Sequence, residues 1–559
     1  MAVNKKALLA GALTMLLIFG AMEINRRFFS PKKEPAEQPQ EPVPTPIQQE
    51  TPWGSPSGDA KTSPREFTLE TEVYSLTFSN QGGVLTGALL KNYTNSDGTP
   101  VELVFADPKA GAPFMTHLGN AGLPGVRDIF NYSLSPTGRR IEFSREVTDE
   151  KGNRFLLRKT YTLDPEAYLF RLSHSLEGLD GRAPYVEGDY LYTLSFGPQL
   201  GPFDRPLDNR NEFRYFTLLI EDTEKNVRAP EGELLEVQQS SPWVGIEGKY
   251  FTLLALPDNL QSTEYALKNY TDPILGRISS FYLKRQDPQV TRTEDNYTFY
   301  LGPKDKKILT ATASHPWIAE KQIPLQALLG KNRALGWLNN GIAALLSLFY
   351  ALIPNYGVAI ILFSIFVKLL LIPLSNPVYL FHARMGQLKP EIESLNRKYQ
   401  NDKGGLNQAF GELLARENLK PRSNLLVLFI QLPLFMALYT VLSLDIRFRQ
   451  AVFIPGWISD ITLPDALWDF SPFTLPVLGW QAVRVLPFLF LATILIQSRF
   501  TQSPLPGSRS MKVMSIFMPL FIFFILYELP AGVVLFFFLL YFFNLIHQII
   551  VIKRYKAPS

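Results

Sequence analysis

A chain of 559 residues that is 46% hydrophobic and 19% charged is long enough for several domains and too apolar for an ordinary soluble enzyme. Its formal net charge of +4 leaves no electrostatic footprint for nucleic acid, so no specific nucleic-acid sequence is expected as a partner. The lack of cysteine excludes disulfides, thiolate catalysis, a lipidated cysteine and cysteine-ligated metal.

Residues 1–30 open with Lys5 and Lys6, continue through the apolar run Ala7 to Met22, and close with Glu23, Arg26 and Arg27. A signal peptide and an uncleaved membrane anchor share this layout. No clear small-x-small cleavage site follows the apolar core, which favours the anchor. Residues 31–64 hold nine prolines and almost no large apolar side chains, the composition of a semi-extended, solvated tether.

Between 65 and 320 the period changes to two. Tyr74, Leu76 and Phe78 alternate ahead of a turn at Gln81-Gly82-Gly83. Tyr168, Phe170 and Leu172 alternate with Leu169, Arg171 and Ser173, and residues 149–153 (DEKGN) separate two strand-like runs. Many short strands with Gly, Pro and Asn turns predict a large β-sandwich. No Walker, dinucleotide-binding, HExxH or GxSxG pattern occurs in it. His117, His174 and His315 are too dispersed to suggest a metal site, and structural roles are expected for them.

Residues 332–353 are apolar but begin with Arg333, Trp337, Asn339 and Asn340, which favours an interfacial amphipathic helix over a full span. The run from Tyr356 to Pro373 is apolar enough to enter a bilayer, yet carries Lys368. An ionisable group at that depth costs several kcal/mol and marks a functional site by default. With Pro373 taken as the helix end, Lys368 would lie about 7.5 Å from the cytoplasmic terminus. It could then snorkel to the headgroups or face the interior of a bundle with Ser364, one turn earlier on the same face. No acid occurs in the C-terminal apolar segments except Glu528 at their outer end, so water or a transient acidic ligand is expected to compensate the charge.

Residues 376–423 form a polar stretch with two amphipathic patterns. Met385, Leu388, Ile392 and Leu395 mark the first, and Leu406, Phe410, Leu413 and Leu414 the second, around a turn expected at Gly404-Gly405. A helical hairpin is predicted, with eight Lys/Arg against five acids, among them Arg384, Lys389, Arg397 and Lys398. Apolar segments follow at about 424–442, 485–498, 513–529 and 533–552, the last two joined by a tight re-entry at residues 528–532. The hairpin, the 498–512 loop and the C-terminal tail are basic, whereas the 443–484 loop is acid-rich. The positive-inside rule therefore places the first three in the cytoplasm and the β region outside, with both termini cytoplasmic.

The run 431–439 (QLPLFMALY), the run 529–535 (LPAGVVL), and Arg384-Met385 to Leu388-Lys389-Pro390-Glu391-Ile392 with Lys398-Tyr399 resemble the YidC/Oxa membrane-protein insertases. The motif-bearing match covers 354–556. The single anchor, tether and outer domain resemble the layout of the Gram-negative type, with support from residues 300–304 (YLGPK).

That resemblance implies a membrane α-helical core of five spans plus the anchor helix, with a large all-β, supersandwich-like periplasmic domain. It implies an inner-membrane insertase and chaperone, not an enzyme, without cofactor. Its partners would be nascent membrane proteins, the lipid bilayer, the Sec translocon and the ribosome. The family's groove maps onto Lys368, Ser364, Gln431, Phe536 and Phe537. Its greasy slide maps onto Phe435, Met436 and Met518. Most members carry Arg where this chain has Lys368, and Phe536, followed by Phe537, stands where Tyr or Trp is common. A polytopic transporter with an outer sensor domain and an envelope-assembly scaffold are the alternative readings.

Overall fold

The computed structural model describes residues 63–556 apart from 106–110, 150, 187, 204–211, 222, 273–275, 287–289, 330–334, 401, 420–424, 472, 476–478 and 502–508. The anticipated anchor, and all but the last residues of the tether, lie outside the described residues. The chain divides into two units that meet in sequence between Gly330 and Lys331.

In the first unit the alternation read from the sequence becomes three antiparallel sheets. The strands Glu66–Glu70, Tyr74–Ser79, Val84–Thr94 and Pro100–Phe105 pair in chain order. A five-stranded sheet runs Leu234–Val237, Thr263–Asp272, Gly276–Gln286, Tyr190–Phe196, Met115–His117. The nine-stranded sheet runs Thr223–Val227, Arg214–Ile220, Val244–Gly248, Phe251–Pro257, Arg292–Pro303, Leu169–Gly178, Arg154–Leu163, Arg140–Thr148, Asn131–Leu134. Tyr74, Leu76 and Phe78 are all buried, as the period of two requires. The expected turn follows them: Gly82 has φ +79°, and a Cβ there would lie 2.9 Å from the Val126 carbonyl oxygen, so only glycine fits.

Phe114 joins the two larger sheets. Its ring lies 4.5 Å from Phe299 and 5.6 Å from Phe170 on the nine-stranded sheet, and 5.8 Å from Phe196 on the five-stranded one. Lys159 occupies an inward position between Leu157 and Tyr161. Its ammonium is accommodated because it donates to the carbonyls of Gly82 at 3.0 Å and Phe114 at 2.5 Å, since a buried charge must be hydrogen-bonded.

The histidines are also used locally. His117 bonds through Nδ1 to the Leu123 carbonyl (2.6 Å) and through Nε2 to Ser195 Oγ (3.0 Å). His174 Nε2 meets Thr116 Oγ1 at 3.1 Å. His315 caps the one-turn helix Pro316–Ala319 and meets Asp164 at 2.9 Å.

This unit is expected to lose stability in both acid and alkali. Burial holds the His117 and His174 imidazoles below their ordinary value of 6.5. The unfolded chain therefore takes up protons first, and their contribution is complete above about 6.5 and lost as pH falls. Burial, and then the Glu247 carboxyl beside it, push Glu224 from 4.5 up to about 9. A raised carboxyl gives the opposite slope: its contribution is present below 4.5 and lost as pH rises toward 9. Thermal unfolding followed across both windows should show two arms, with Glu224→Gln flattening the alkaline one. An alkaline arm unchanged in that variant would refute the assignment.

A short helix, α1 (Lys306–Ala313), N-capped by Asp305, closes the β region. The second unit contains α2 (Gly336–Leu352), α3 (Tyr356–Gln387), α4 (Lys389–Lys398), α5 (Lys403–Arg416), α6 (Leu425–Leu444), α7 (Val485–Thr501), α8 (Arg509–Tyr527) and α9 (Ala531–Lys556). Among the described residues, two helices are long and apolar enough to cross a membrane, α3 and α9. Shorter apolar stretches lie in α2, α6, α7 and α8. The helix expected at 332–353 is one-sided. Ile342 and Leu346 are buried in the core, whereas Trp337, Leu348 and Leu352 are exposed.

Two boundaries differ from expectation. Pro373 does not end its helix, because α3 runs on through Pro373 and Pro377 to Gln387. An interior proline costs about 3 kcal/mol, but Leu371, Ser375, Val378 and Tyr379 are buried along this stretch, and unravelling it would expose them together with further backbone groups. The glycines at 404 and 405 are likewise not the hairpin turn. They form the first turn of α5, because Asp402 caps it by accepting the Gly405 N–H at 2.9 Å. The apolar pattern from Met385 to Leu395 spans the α3–α4 junction, where Pro390 opens the new helix. Met385, Ile392, Leu413 and Leu419 form a small separate core. Arg416 pairs with Glu391 across it at 2.5 Å.

Candidate functional site

Lys368 is the thirteenth residue of a 32-residue helix, about 18 Å from its N-terminal start at 1.5 Å per residue. The end-of-helix position expected for it is therefore corrected to one deep in α3. The side chain is only 6% exposed, so something must satisfy the ammonium. Its Nζ donates to Asn544 Oδ1 at 2.6 Å and lies 3.1 Å from His547 Nδ1. Both partners sit on α9 at i, i+3 spacing, hence on one face. An ammonium only donates, so Nδ1 accepts and His547 is the neutral tautomer with its proton on Nε2. The ring of Tyr379 stands 5.4 Å from Nζ and meets His547 edge-on at 5.0 Å. The expectation that water or an acidic ligand alone would compensate this charge is thus corrected. Three side chains of the chain itself surround it.

Ser364 is fully buried, and its hydroxyl donates to the Ile360 carbonyl of its own helix at 2.7 Å. It shares a helix face with Lys368 while its proton is spent locally. Phe536 is fully buried against Phe363 (5.6 Å between rings), so it belongs to the packed core of this unit. Phe537 meets Phe435 at 5.1 Å. Gln431 is half-buried on α6, Met436 is exposed there, and Met518 is half-buried on α8. Arg384, Lys389, Arg397 and Lys398 are all exposed, on the end of α3 and on α4.

Asn544 and His547 were not singled out by the sequence reading, although a signal for them existed. Asn544, His547 and Gln548 interrupt the apolar 533–552 segment at i, i+3, i+4, a polar stripe of the kind that Ser364 and Lys368 make on α3.

The starts of α3, α7 and α9 are covered by described residues of the 445–484 loop, which satisfy their free N–H groups. Asn355 caps α3 by accepting the Val358 N–H at 3.1 Å, and its own amide donates to the Phe453 carbonyl at 3.3 Å. Asp465 accepts the Val485 and Leu486 N–H groups of α7 at 2.7 and 3.1 Å, and also the Trp457 indole at 3.0 Å. The first N–H groups of α9, at Ala531 and Gly532, donate to the carbonyls of Leu463 (2.6 Å) and Ile461 (2.9 Å). Arg484 pairs with Glu528 at 2.6 Å. Phe448, Ile458 and Ile461 of the loop are buried in the same core as α3, α6 and α9. Lys368 therefore lies below a packed cover over the start of its helix.

Comparison with known proteins gives the family. A family model described as the YidC periplasmic domain matches residues 66–343, and one described as the 60Kd inner membrane protein matches residues 348–558. A membrane protein insertase YidC of Treponema denticola is 29% identical over 99% of this chain and 100% of its own length. The protein of that name from Pelobacter propionicus is 26% identical over 95% of this chain and 96% of its own. A crystal structure of an active YidC insertase with its first transmembrane domain resolved covers 89% of this chain and 94% of its own, at 15% identity and a TM-score of 0.36. The two family models follow one another along nearly the whole described chain, in the order that the full-length relatives share, and the chain belongs to the YidC family of inner-membrane proteins with a periplasmic domain.

Proposed function

We propose that this protein inserts nascent inner-membrane proteins, with Lys368 as the residue that receives the client's polar, translocated end. The observation that carries the reading is a lysine ammonium buried deep in an apolar helix pair and held there by Asn544 and His547. Among the described residues it has no ion-pair partner, and a charge kept so at such depth is costly and has a use. In this reading α3, α6, α7, α8 and α9 are the five spans. The basic hairpin and both termini are cytoplasmic, and the acid-rich 445–484 loop is periplasmic, as the charge distribution favours.

The client's apolar segment would leave along Phe435, Met436 and Met518 into lipid, without nucleotide or cofactor. The exposed basic residues Arg384, Lys389, Arg397 and Lys398 suit contact with ribosomes and arriving chains, and the Sec translocon is a further partner in this reading.

Depletion of the protein followed by pulse-labelling should leave a set of newly made membrane proteins uninserted. Complementation with a chain lacking residues 65–310 separates the readings. An insertase core retains insertion, whereas an envelope scaffold acting through its β domain loses it. Photo-crosslinkers at Arg397 and Lys398 should capture stalled nascent chains, and an absence of adducts would remove the hairpin from the client's path.

A further inference from the structure

Part of the 445–484 loop takes no part in that cover. The described residues between 467 and 483 fold back as a hairpin. The Leu467 N–H donates to the Val483 carbonyl (3.0 Å), that of Phe470 to Gln481 (2.9 Å) and that of Leu475 to Trp480 (2.8 Å). Its second strand is fixed to α8. Trp480 stacks on Tyr527 with ring centroids 3.8 Å apart, and the Tyr527 hydroxyl donates to the Ala482 carbonyl at 2.7 Å.

Away from those contacts its large apolar side chains are exposed. Trp468 is 69%, Phe473 59% and Leu467 56% exposed, with Leu475 and Val483 beside them. Asp469 is the single charged residue between 467 and 483. A patch of this kind marks an interaction surface.

Its surroundings indicate which surface it meets. Trp480 also lies 6.2 Å from the rings of both Phe523 and Phe524, and Phe523 lies 4.9 Å from Phe488. Phe488 and Leu489 on α7, and Phe517, Leu520 and Phe524 on α8, are exposed. The hairpin thus continues the apolar outer faces of these two helices. Both helices are short: 17 and 19 residues give about 26 and 28 Å, against a hydrocarbon thickness of about 30 Å. The hairpin supplies apolar and aromatic surface at the level where they run out. Tryptophan and tyrosine favour the membrane–water interface, where water still reaches the outward backbone groups that a two-stranded ribbon leaves unpaired.

We infer that the 467–483 hairpin is an outer-leaflet anchor. Leu467, Trp468, Phe473, Leu475 and Val483 enter the interfacial layer of a phospholipid bilayer and fix the outer ends of α7 and α8 at that level. This rests on the reading of α7 and α8 as membrane spans, and its test separates the two.

Because the chain has no cysteine, single cysteines at Trp468 and Phe473 can be spin-labelled in the full-length protein reconstituted in phospholipid vesicles. Cysteines at Phe488 and Phe524 report the spans, and one at Glu233, exposed on the β unit, reports water. Collision with oxygen should exceed collision with a water-soluble nickel chelate several-fold at 468 and 473, as at 488 and 524, with the reverse at 233. Nickel access at 468 and 473 with lipid-like values at 488 and 524 overturns the anchor alone. Nickel access at 488 and 524 overturns the span reading. Low collision with both reagents at 468 and 473 means that protein covers the hairpin, and overturns the lipid assignment in favour of a protein partner.

Discussion

Lys368→Ala is expected to reduce insertion of a client with an acidic translocated tail by roughly ten- to a hundredfold, the equivalent of one charge-assisted hydrogen bond of about 1.5–3 kcal/mol. A lysine ammonium has three N–H donors, and Asn544 and His547 engage two of them. A client carboxylate can therefore take the third without displacing either partner. Because the site is largely screened from water, the attraction exceeds its value in bulk solvent. Lys368→Glu should be at least as damaging, since it repels the same tail. Lys368→Arg should be tolerated, because charge and donors are kept although the geometry differs. Clients with neutral tails should be affected much less by any of these changes. Insertion into proteoliposomes of two clients differing only in their tail carboxylates measures the contrast, and equal losses for both would remove electrostatic capture from the role of Lys368.

What could be read from the sequence was the part governed by local pattern. Period-two alternation at Tyr74, Leu76 and Phe78 gave strands, long apolar runs gave the helices, and the polar interruption at Lys368 marked the candidate site. What could not be read depended on contacts distant in sequence. Asn544 and His547 gain meaning only when α9 packs against α3, 176 and 179 residues away from Lys368. The stop signal at Pro373 was overruled because buried side chains on both sides of it hold the helix together. At Gly404-Gly405 the glycines suggested a turn, but the Asp402 side chain two and three residues earlier set the helix start.

The 445–484 loop was recognisable only by its charge. Its role as a cover over the helix ends depends on Asp465, the Leu463 carbonyl and the Phe453 ring reaching N–H groups and a glycine on three different helices.

That cover makes Gly357→Ala the second change with a large expected effect. Gly357 lies in the first turn of α3, and a Cβ there would sit 2.0 Å from Cδ2 and 2.6 Å from Cβ of Phe453. Both the ring and its point of attachment block the methyl group, so a rotamer change of Phe453 cannot clear it and the loop backbone must move. Overpacking of this kind costs about 1–3 kcal/mol. The displaced segment carries the Phe453 carbonyl that receives the Asn355 amide, so the cap of α3 should weaken with it. In an otherwise cysteine-free chain, Thr462→Cys places a thiol at a fully buried position of the loop. A membrane-impermeant maleimide added from the outer side should label it slowly in the parent and markedly faster with Gly357→Ala. Phe453→Ala vacates the space the methyl group needs, so the double variant should recover much of the lost thermal stability, a recovery that a general helix defect at Gly357 would not give. Unchanged stability and labelling in Gly357→Ala would mean that Phe453 does not pack on this glycine and that the loop is not the cover over α3.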